Sequence, residues 1–270
     1  MILLSSGFHG QIDFCGHLLL VLFGQHCADQ AMALANAGYR AIAYDRRGFG
    51  RSSQPWSGCD YDTLADDLAA VIDQTGAKDA VLVGFSMGGG EVARYMSRHR
   101  GASVVQAVLV SSVVPYMLQT AYNPDGTEQA VFEQMTAGMK EDRAKFFANF
   151  FRDFFGVNMV SHPVSAEVLD WARSVSMQAS LKATLECANS FATTDFRPDL
   201  SAFNVPTLII HGTADKTVPI DASGRPAPGR DFANATLKIA NYTCSRWANR
   251  LFACTTVRSK VEQNQLVSAG

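Results

Sequence analysis

Residues 84–88 read Gly-Phe-Ser-Met-Gly and have the most informative spacing in the chain. They match the pattern G-x-S-x-G, the nucleophile elbow, in which a serine occupies a sharp turn between a strand and a helix. A short apolar run at 80–84 precedes the turn and a helical run extends from it to His99. This context predicts Ser86 as a nucleophile, and the alternative is an ordinary glycine-rich turn.

The elbow also predicts the surroundings of the serine. Glycine is expected at 84 and 88 because a side chain there would collide with the neighbouring strand and helix. The backbone N–H of Met87, at the start of the helix, is expected to point at a developing oxyanion. A serine nucleophile further requires a base to remove its proton and an acid to orient that base.

Asp215 is the predicted acid. In proteins with this elbow the chain order is serine, then acid, then histidine. Asp215 comes shortly after an apolar strand predicted at 206–210. Ligands in open α/β sheets bind at the carboxyl ends of the strands, where this position falls. The alternative is an aspartate that only shapes a turn or caps a helix.

The elements that must position these residues alternate between strand and helix. Helices are predicted at 28–37, at 62–75 and from the elbow to His99, and strands at 39–44, 80–84, 104–110, 206–210 and 235–239. This alternation predicts an α/β fold with a mainly parallel sheet flanked by helices.

Residues 115–195 interrupt the alternation. They contain helical runs such as 130–155 and 166–178 and are rich in phenylalanine. We predict an inserted helical lid over the carboxyl edge of the sheet. Phe146, Phe150 and Phe154 recur at helical spacing, which favours packing on a helix face. The alternative is that some of these rings line an acyl pocket.

Both ends of the chain are atypical. Residues 1–27 show no regular period outside an apolar run at 18–23, and residues 240–270 show neither helical nor strand periodicity. We predict a strand at 18–23 rather than a secretion signal, because the first positive charge is Arg40. The prediction is a single domain over residues 1–270.

The composition of the chain argues against some classes of function. Apolar residues make up 47% of the 270 residues and charged residues 18%, and the formal net charge is -2. This balance favours a globular protein and argues against nucleic acid as a partner. Apolar runs are too short for a membrane span. Six scattered cysteines without a CxxC pair indicate free thiols in a reducing cytoplasm.

Several segments resemble the α/β-hydrolase superfamily, in particular its cofactor-free (non-haem) haloperoxidase, perhydrolase and arylesterase branch. They are DRRGFGRSSQPW at 45–56, LVGFSMGGG at 82–90, LKAT at 181–184, TDFRPD at 194–199 and HGTAD at 211–215. The resemblance implies an acyl-enzyme mechanism with Ser86 as nucleophile and Asp215 as triad acid.

The same resemblance implies a small-molecule ester or carboxylic acid as partner and no metal, haem or other cofactor. Ester hydrolysis is the expected reaction, with peracid formation when peroxide replaces water. The oligomeric state stays open, a homo-oligomer included. Arg46 and Arg47 lack the spacing of a phosphate loop and are predicted to bind carboxylates.

The chain departs from the family at the second oxyanion donor. The family carries His-Gly-aromatic-Pro after its first long central strand, and the residue after that glycine supplies the N–H. Here residues 23–25 read Phe-Gly-Gln. Gln25 is therefore the candidate donor, and the alternative is an unstructured or shifted N-terminal segment.

The second departure concerns the general base. The family's catalytic histidine lies near the C-terminus, whereas no histidine follows His211 in this chain. Aligning residues 251–253 with the segment that normally follows that histidine places Asn249 at its position. His99, at the far end of the helix after Ser86, and His162, in the helical block, are predicted to have other roles.

Two functions therefore stay open from the sequence: a serine hydrolase that lacks its usual base, and a catalytically inactive member whose pocket binds a small ligand. Dehalogenases and epoxide hydrolases are disfavoured because they carry aspartate at the elbow. Divergence confined to the two ends is also what a misread reading frame or splice boundary would produce, and resequencing the transcript would test this.

Overall fold

The computed structural model describes residues 2–5, 26–225, 232 and 234–240. The predicted strand at 18–23 and the two candidate positions Gln25 and Asn249 lie outside the described residues.

The described elements follow the alternation expected from the sequence. The strands are β1 (Ile2–Ser5), β2 (Arg40–Ile42), β3 (Ala80–Phe85), β4 (Val104–Val110), β5 (Thr207–Gly212) and β6 (Ala235–Ala240). The helices are α1 (His26–Asn36), α2 (Tyr61–Thr75), α3 (Met87–Arg98), α4 (Gln129–Glu141), α5 (Arg143–Phe154), α6 (Ala166–Met177) and α7 (Leu181–Thr193), with a 3₁₀ helix at Arg197–Ala202.

Within the described residues the strands form one sheet in the order β2-β1-β3-β4-β5-β6. Neighbours from β3 to β6 are parallel, whereas β1 runs antiparallel to both β2 and β3. The predicted α/β fold with a mainly parallel sheet is confirmed. Strand β1 was not predicted, because four residues are too few to show a strand period.

Alternate side chains of the central strands enter two separate cores. Leu82 and Leu109 belong to the larger core, which also contains residues of α2 and α3. Val83 and Val110 face the other side, where they pack with Leu34 of α1. Burial on both faces explains why these strands appear in the sequence as continuous apolar runs.

The helical block between β4 and β5 contains α4 to α7. The run predicted at 130–155 is divided, because Asp142 leaves the helical conformation with φ -150° and its side chain accepts the Lys145 N–H at 2.9 Å as the N-cap of α5. Phe154 is buried, and Phe146 and Phe150 pack against the same core. The function of the block as a lid stays a prediction.

Candidate active site

Ser86 occupies a strained corner between β3 and α3. Its φ of 50° and ψ of -120° lie where residues other than glycine are rare. Hydrogen bonds hold the corner: the Ser86 N–H donates to the Val110 carbonyl at 2.9 Å, and the Gly89 N–H donates to the Ser86 carbonyl at 3.0 Å. Strain of this kind costs about 1–3 kcal/mol and persists only where the surroundings impose it.

Close packing of strand and helix explains the glycines around the corner. A Cβ on Gly84 would lie 2.6 Å from both the Gly88 carbonyl oxygen and Gly89 Cα. On the helix side the tight contact falls on Gly89, where a Cβ would meet the Ser112 hydroxyl. The steric need for glycine predicted at 84 is therefore present, and the need at 89 was not predicted.

Ser86 and Asp215 are brought to the same edge of the sheet. Ser86 follows the carboxyl end of β3 directly, and Asp215 follows that of β5. The strand between them, β4, ends at Val110 and continues into Ser111, whose N–H donates to the Ile210 carbonyl at 2.8 Å. With strands about 4.8 Å apart, the β3 and β5 ends are separated by about 10 Å.

The two oxygens of the Asp215 carboxyl have different surroundings. Oδ1 accepts the backbone N–H groups of Thr217 and Val218, at 3.0 and 2.9 Å. Oδ2 is buried and has no hydrogen-bond partner among the described residues. Asp215 therefore shapes a turn, as the alternative interpretation held, and still has one oxygen available to orient a base.

The surroundings of Asp215 shift the pKa of its carboxyl. Burial raises the pKa of this carboxyl above its ordinary value, against the lowering effects of the Val218 N–H, of His211 and of Ser111. The Ser111 hydroxyl lies near the carboxyl without hydrogen-bond geometry. An imidazolium beside Oδ2 would favour the charged form instead.

His211 has a structural role in the turn that holds Asp215. Its Nε2–H donates to the Val218 carbonyl at 2.8 Å, and its side chain is fully buried. Burial lowers the pKa of His211, so the neutral ring is favoured. Nε2 lies 3.8 Å from Asp215 Oδ2, beyond hydrogen-bond distance. His211 thus supports the Asp215 turn.

Two other described histidines, His99 and His162, were predicted to have roles other than the triad base. His99 follows the last residue of α3, the end of the helix opposite to Ser86, and its Nε2 lies 2.8 Å from Asp66 Oδ1. His162 is exposed in the segment before α6. His99 is thus separated from Ser86 by the length of α3.

Met87, the predicted oxyanion donor, is the first residue of α3, where backbone N–H groups have no partner within the helix. Its carbonyl accepts the Tyr61 hydroxyl at 3.2 Å, and its Sδ lies 3.5 Å from Arg46 Nη1. No local sequence pattern predicts the Tyr61 contact, which joins residues distant in the chain.

The predicted partners of the two loop arginines are carboxylates. Arg46 forms a fully buried ion pair with Glu91 on α3. Arg47 binds Asp67 on α2 through Nε and Nη2, both at 2.5 Å. These ion pairs tie the segment after β2 to the two helices beside the serine corner.

The family profile described as alpha/beta hydrolase fold matches residues 3–242. The chain belongs to this family. Among the relatives of this α/β hydrolase is the non-heme chloroperoxidase CPO-A1 of Kitasatospora aureofaciens, 39% identical over 218 residues, which are 81% of this chain and 79% of that protein.

A second relative is the bifunctional esterase/perhydrolase DCH of Acinetobacter calcoaceticus, 41% identical over 201 residues, which cover 73% of this chain and 71% of that protein. The crystal structure of a bromoperoxidase from Bacillus anthracis is 36% identical with a TM-score of 0.82, covering 89% of this chain and 88% of that one. The resemblance to the haloperoxidase, perhydrolase and esterase branch is confirmed.

In the described part of this α/β hydrolase, no helix has the length and apolar character needed to cross a membrane.

Proposed function

We propose that this α/β hydrolase acts on small carboxylic esters through an acyl-Ser86 intermediate. The observation that carries the proposal is the strained corner at Ser86, on the same sheet edge as Asp215, whose Oδ2 has no hydrogen-bond partner among the described residues. An elbow that costs conformational energy is expected where a hydroxyl must be presented to a substrate.

In the proposed reaction the Ser86 oxygen attacks the ester carbonyl as the serine proton leaves. The Met87 N–H stabilises the negative charge on the carbonyl oxygen of the tetrahedral intermediate. The intermediate collapses, the alcohol leaves with a proton, and water then hydrolyses the acyl-serine to the carboxylic acid. Hydrogen peroxide in place of water would give a peracid. Gln25 is the proposed second oxyanion donor.

Asp215 would orient the base that takes the serine proton. No histidine follows His211, and the family position of the base falls on Asn249. An amide cannot accept a proton near neutral pH, so we expect turnover about 10⁴- to 10⁶-fold below that of a complete triad. We further propose a cytoplasmic location and no nucleic-acid or membrane partner.

The missing histidine also favours a second candidate function, a catalytically inactive member that binds a small ester or carboxylic acid. Hydrolysis of p-nitrophenyl acetate by the parent and by Ser86→Ala separates the two. Turnover in the parent that Ser86→Ala abolishes supports the serine mechanism. Equal turnover in both proteins would contradict it, and no turnover in the parent would favour the binding protein.

A further inference from the structure

A group of buried polar side chains lies behind the first turn of α3, and acyl transfer does not use it. Its members are at most 3% exposed and are Arg46, Cys59, Tyr61, Glu91 and Cys187. The two cysteines are free thiols in the same core. The proposed ester hydrolysis gives these two cysteines no role.

The cysteines come from different parts of the fold. Cys59 lies just before α2, whereas Cys187 lies in the middle of α7, the last α-helix of the inserted block. Ser190, about one helical turn after Cys187, donates its hydroxyl to the Cys59 carbonyl at 2.9 Å. This hydrogen bond fixes the Cys59 backbone against the part of α7 that carries Cys187.

The surroundings make the two thiols chemically unequal. Direct interaction with Cys187 lowers the pKa of Cys59, and the same interaction raises the pKa of Cys187 well above its usual value. The nearby Arg46 guanidinium favours the charged form of both. A thiolate is the reactive form of cysteine, so the guanidinium favours the reactive form of this pair.

We propose that Cys59 and Cys187 form a redox-active dithiol, which hydrogen peroxide converts into a disulfide joining the segment before α2 to α7. The Cys59 sulfur attacks one peroxide oxygen, the O–O bond breaks, and water leaves with formation of the sulfenic acid. The Cys187 sulfur then attacks the Cys59 sulfur, and the S–O bond breaks as a second water leaves. Two thiols lose two electrons, which reduce one peroxide to two waters.

The cross-link would tie the inserted helical block to the main sheet region. Because it closes a long loop in the unfolded chain, we expect it to raise Tm. Burial of both thiols requires peroxide to enter the core, so the reaction is expected to be slower than oxidation of an exposed thiol.

Peptide mapping of the folded full chain tests the proposal. The protein is treated with hydrogen peroxide while folded, the peroxide is removed, and the protein is unfolded in urea with iodoacetamide so that all free thiols are blocked. It is then digested without reduction for mass spectrometry. We expect a peptide containing Cys59 joined to one containing Cys187, which dithiothreitol separates. Recovery of both as blocked thiols, as sulfinic acids or in disulfides with other cysteines would overturn the proposal.

Variants add a second readout. Peroxide should raise the Tm of the parent, and dithiothreitol should reverse the increase. Peroxide should not raise the Tm of Cys59→Ser or of Cys187→Ser. Cys27→Ser is the matched control and should keep both the cross-link and the Tm increase. Ser86→Ala should also cross-link, so the result is independent of the proposed ester hydrolysis. If the Cys59 or Cys187 variants fail to fold, the peptide map of the parent decides.

Discussion

The serine corner and the aspartate turn lie at the same edge of the sheet but are held in different ways. At Ser86 the backbone is fully constrained by hydrogen bonds and by glycine packing between β3 and α3. At Asp215 one carboxyl oxygen is committed to its turn and the other, Oδ2, is buried without a described hydrogen-bond partner. The Ser86 hydroxyl, like Asp215 Oδ2, is buried and has no hydrogen-bond partner among the described residues. The backbone of the nucleophile is thus in place, whereas both side chains still require the base that would join them.

The largest expected effect comes from supplying that base. Asn249→His restores a histidine at the position that the resemblance assigns to the catalytic base, and we expect its imidazole N–H to bind Asp215 Oδ2. We expect kcat/KM for p-nitrophenyl acetate to rise by up to about 10⁴-fold. The double variant with Ser86→Ala is the control and should show no rise. An unchanged rate in a folded Asn249→His protein would contradict the assignment of position 249.

Substitution at the strand side of the serine corner tests its packing. In Gly84→Ala the new methyl group would overlap backbone atoms of α3 at 2.6 Å, so we expect a loss of about 1–3 kcal/mol in the free energy of unfolding. Urea denaturation measures it.

Gly76→Ala is the matched control for that loss. A Cβ added to Gly76, at the end of α2, would meet no atom within 4 Å, but the φ of this residue is 63°. We therefore expect only backbone strain, which should lower the free energy of unfolding by about 1 kcal/mol. A smaller loss in Gly84→Ala than in this control would contradict the close packing of β3 and α3.

The buried carboxylate of Asp215 is expected to lower the stability of the folded protein when it is charged. Because the pKa of Asp215 is raised in the folded protein, the native state binds more protons than the unfolded state as the pH rises through this carboxyl's titration. Its contribution to stability is therefore present at low pH and is lost as the pH rises past the folded pKa.

Asp215→Asn keeps an oxygen for the two turn N–H groups and removes the buried charge. We expect the variant to be more stable than the parent at neutral pH, and the difference to shrink as the pH falls below the pKa of an unfolded aspartate. Urea denaturation across a pH series measures the difference. A pH-independent difference would show that Asp215 does not titrate in this way.

The smallest effect is expected from the hydrogen bond behind the oxyanion donor. Tyr61→Phe removes the hydroxyl that binds the Met87 carbonyl and should cost about 0.5–1.5 kcal/mol of stability. Tyr95→Phe removes a similar hydroxyl, which binds the Ala102 carbonyl at 2.7 Å near the other end of α3. With Asn249→His as background, only Tyr61→Phe should also lower kcat. Equal kcat in the two would contradict a link between Tyr61 and the corner.

Local patterns predicted the parts of the site that depend on short segments. The elbow was recognisable because its glycines and serine lie between a strand and a helix. Asp215 was recognisable because it follows Ser86 in the chain and comes shortly after the end of β5. The β1 strand was missed because Ile2–Ser5 offers no period, and the break at Asp142 because helix-forming residues flank it on both sides.

Contacts between distant segments could not be predicted from local patterns. Gly89 against Ser112, Tyr61 against Met87 and the paired thiols depend on how helices pack on the sheet. The carboxylates that bind Arg46 and Arg47 were expected as a class, but only the fold selects Glu91 and Asp67. Gln25 and Asn249 stay predictions, because they lie outside the described residues.

Trapping of the acyl intermediate tests the central claim most directly. The Asn249→His protein is mixed with p-nitrophenyl acetate, quenched in acid during turnover and digested for mass spectrometry. We expect one acetyl group on Ser86, absent from the same protein carrying Ser86→Ala. Turnover with the acetyl group on another residue, or with an unmodified Ser86 throughout, would contradict Ser86 as the nucleophile.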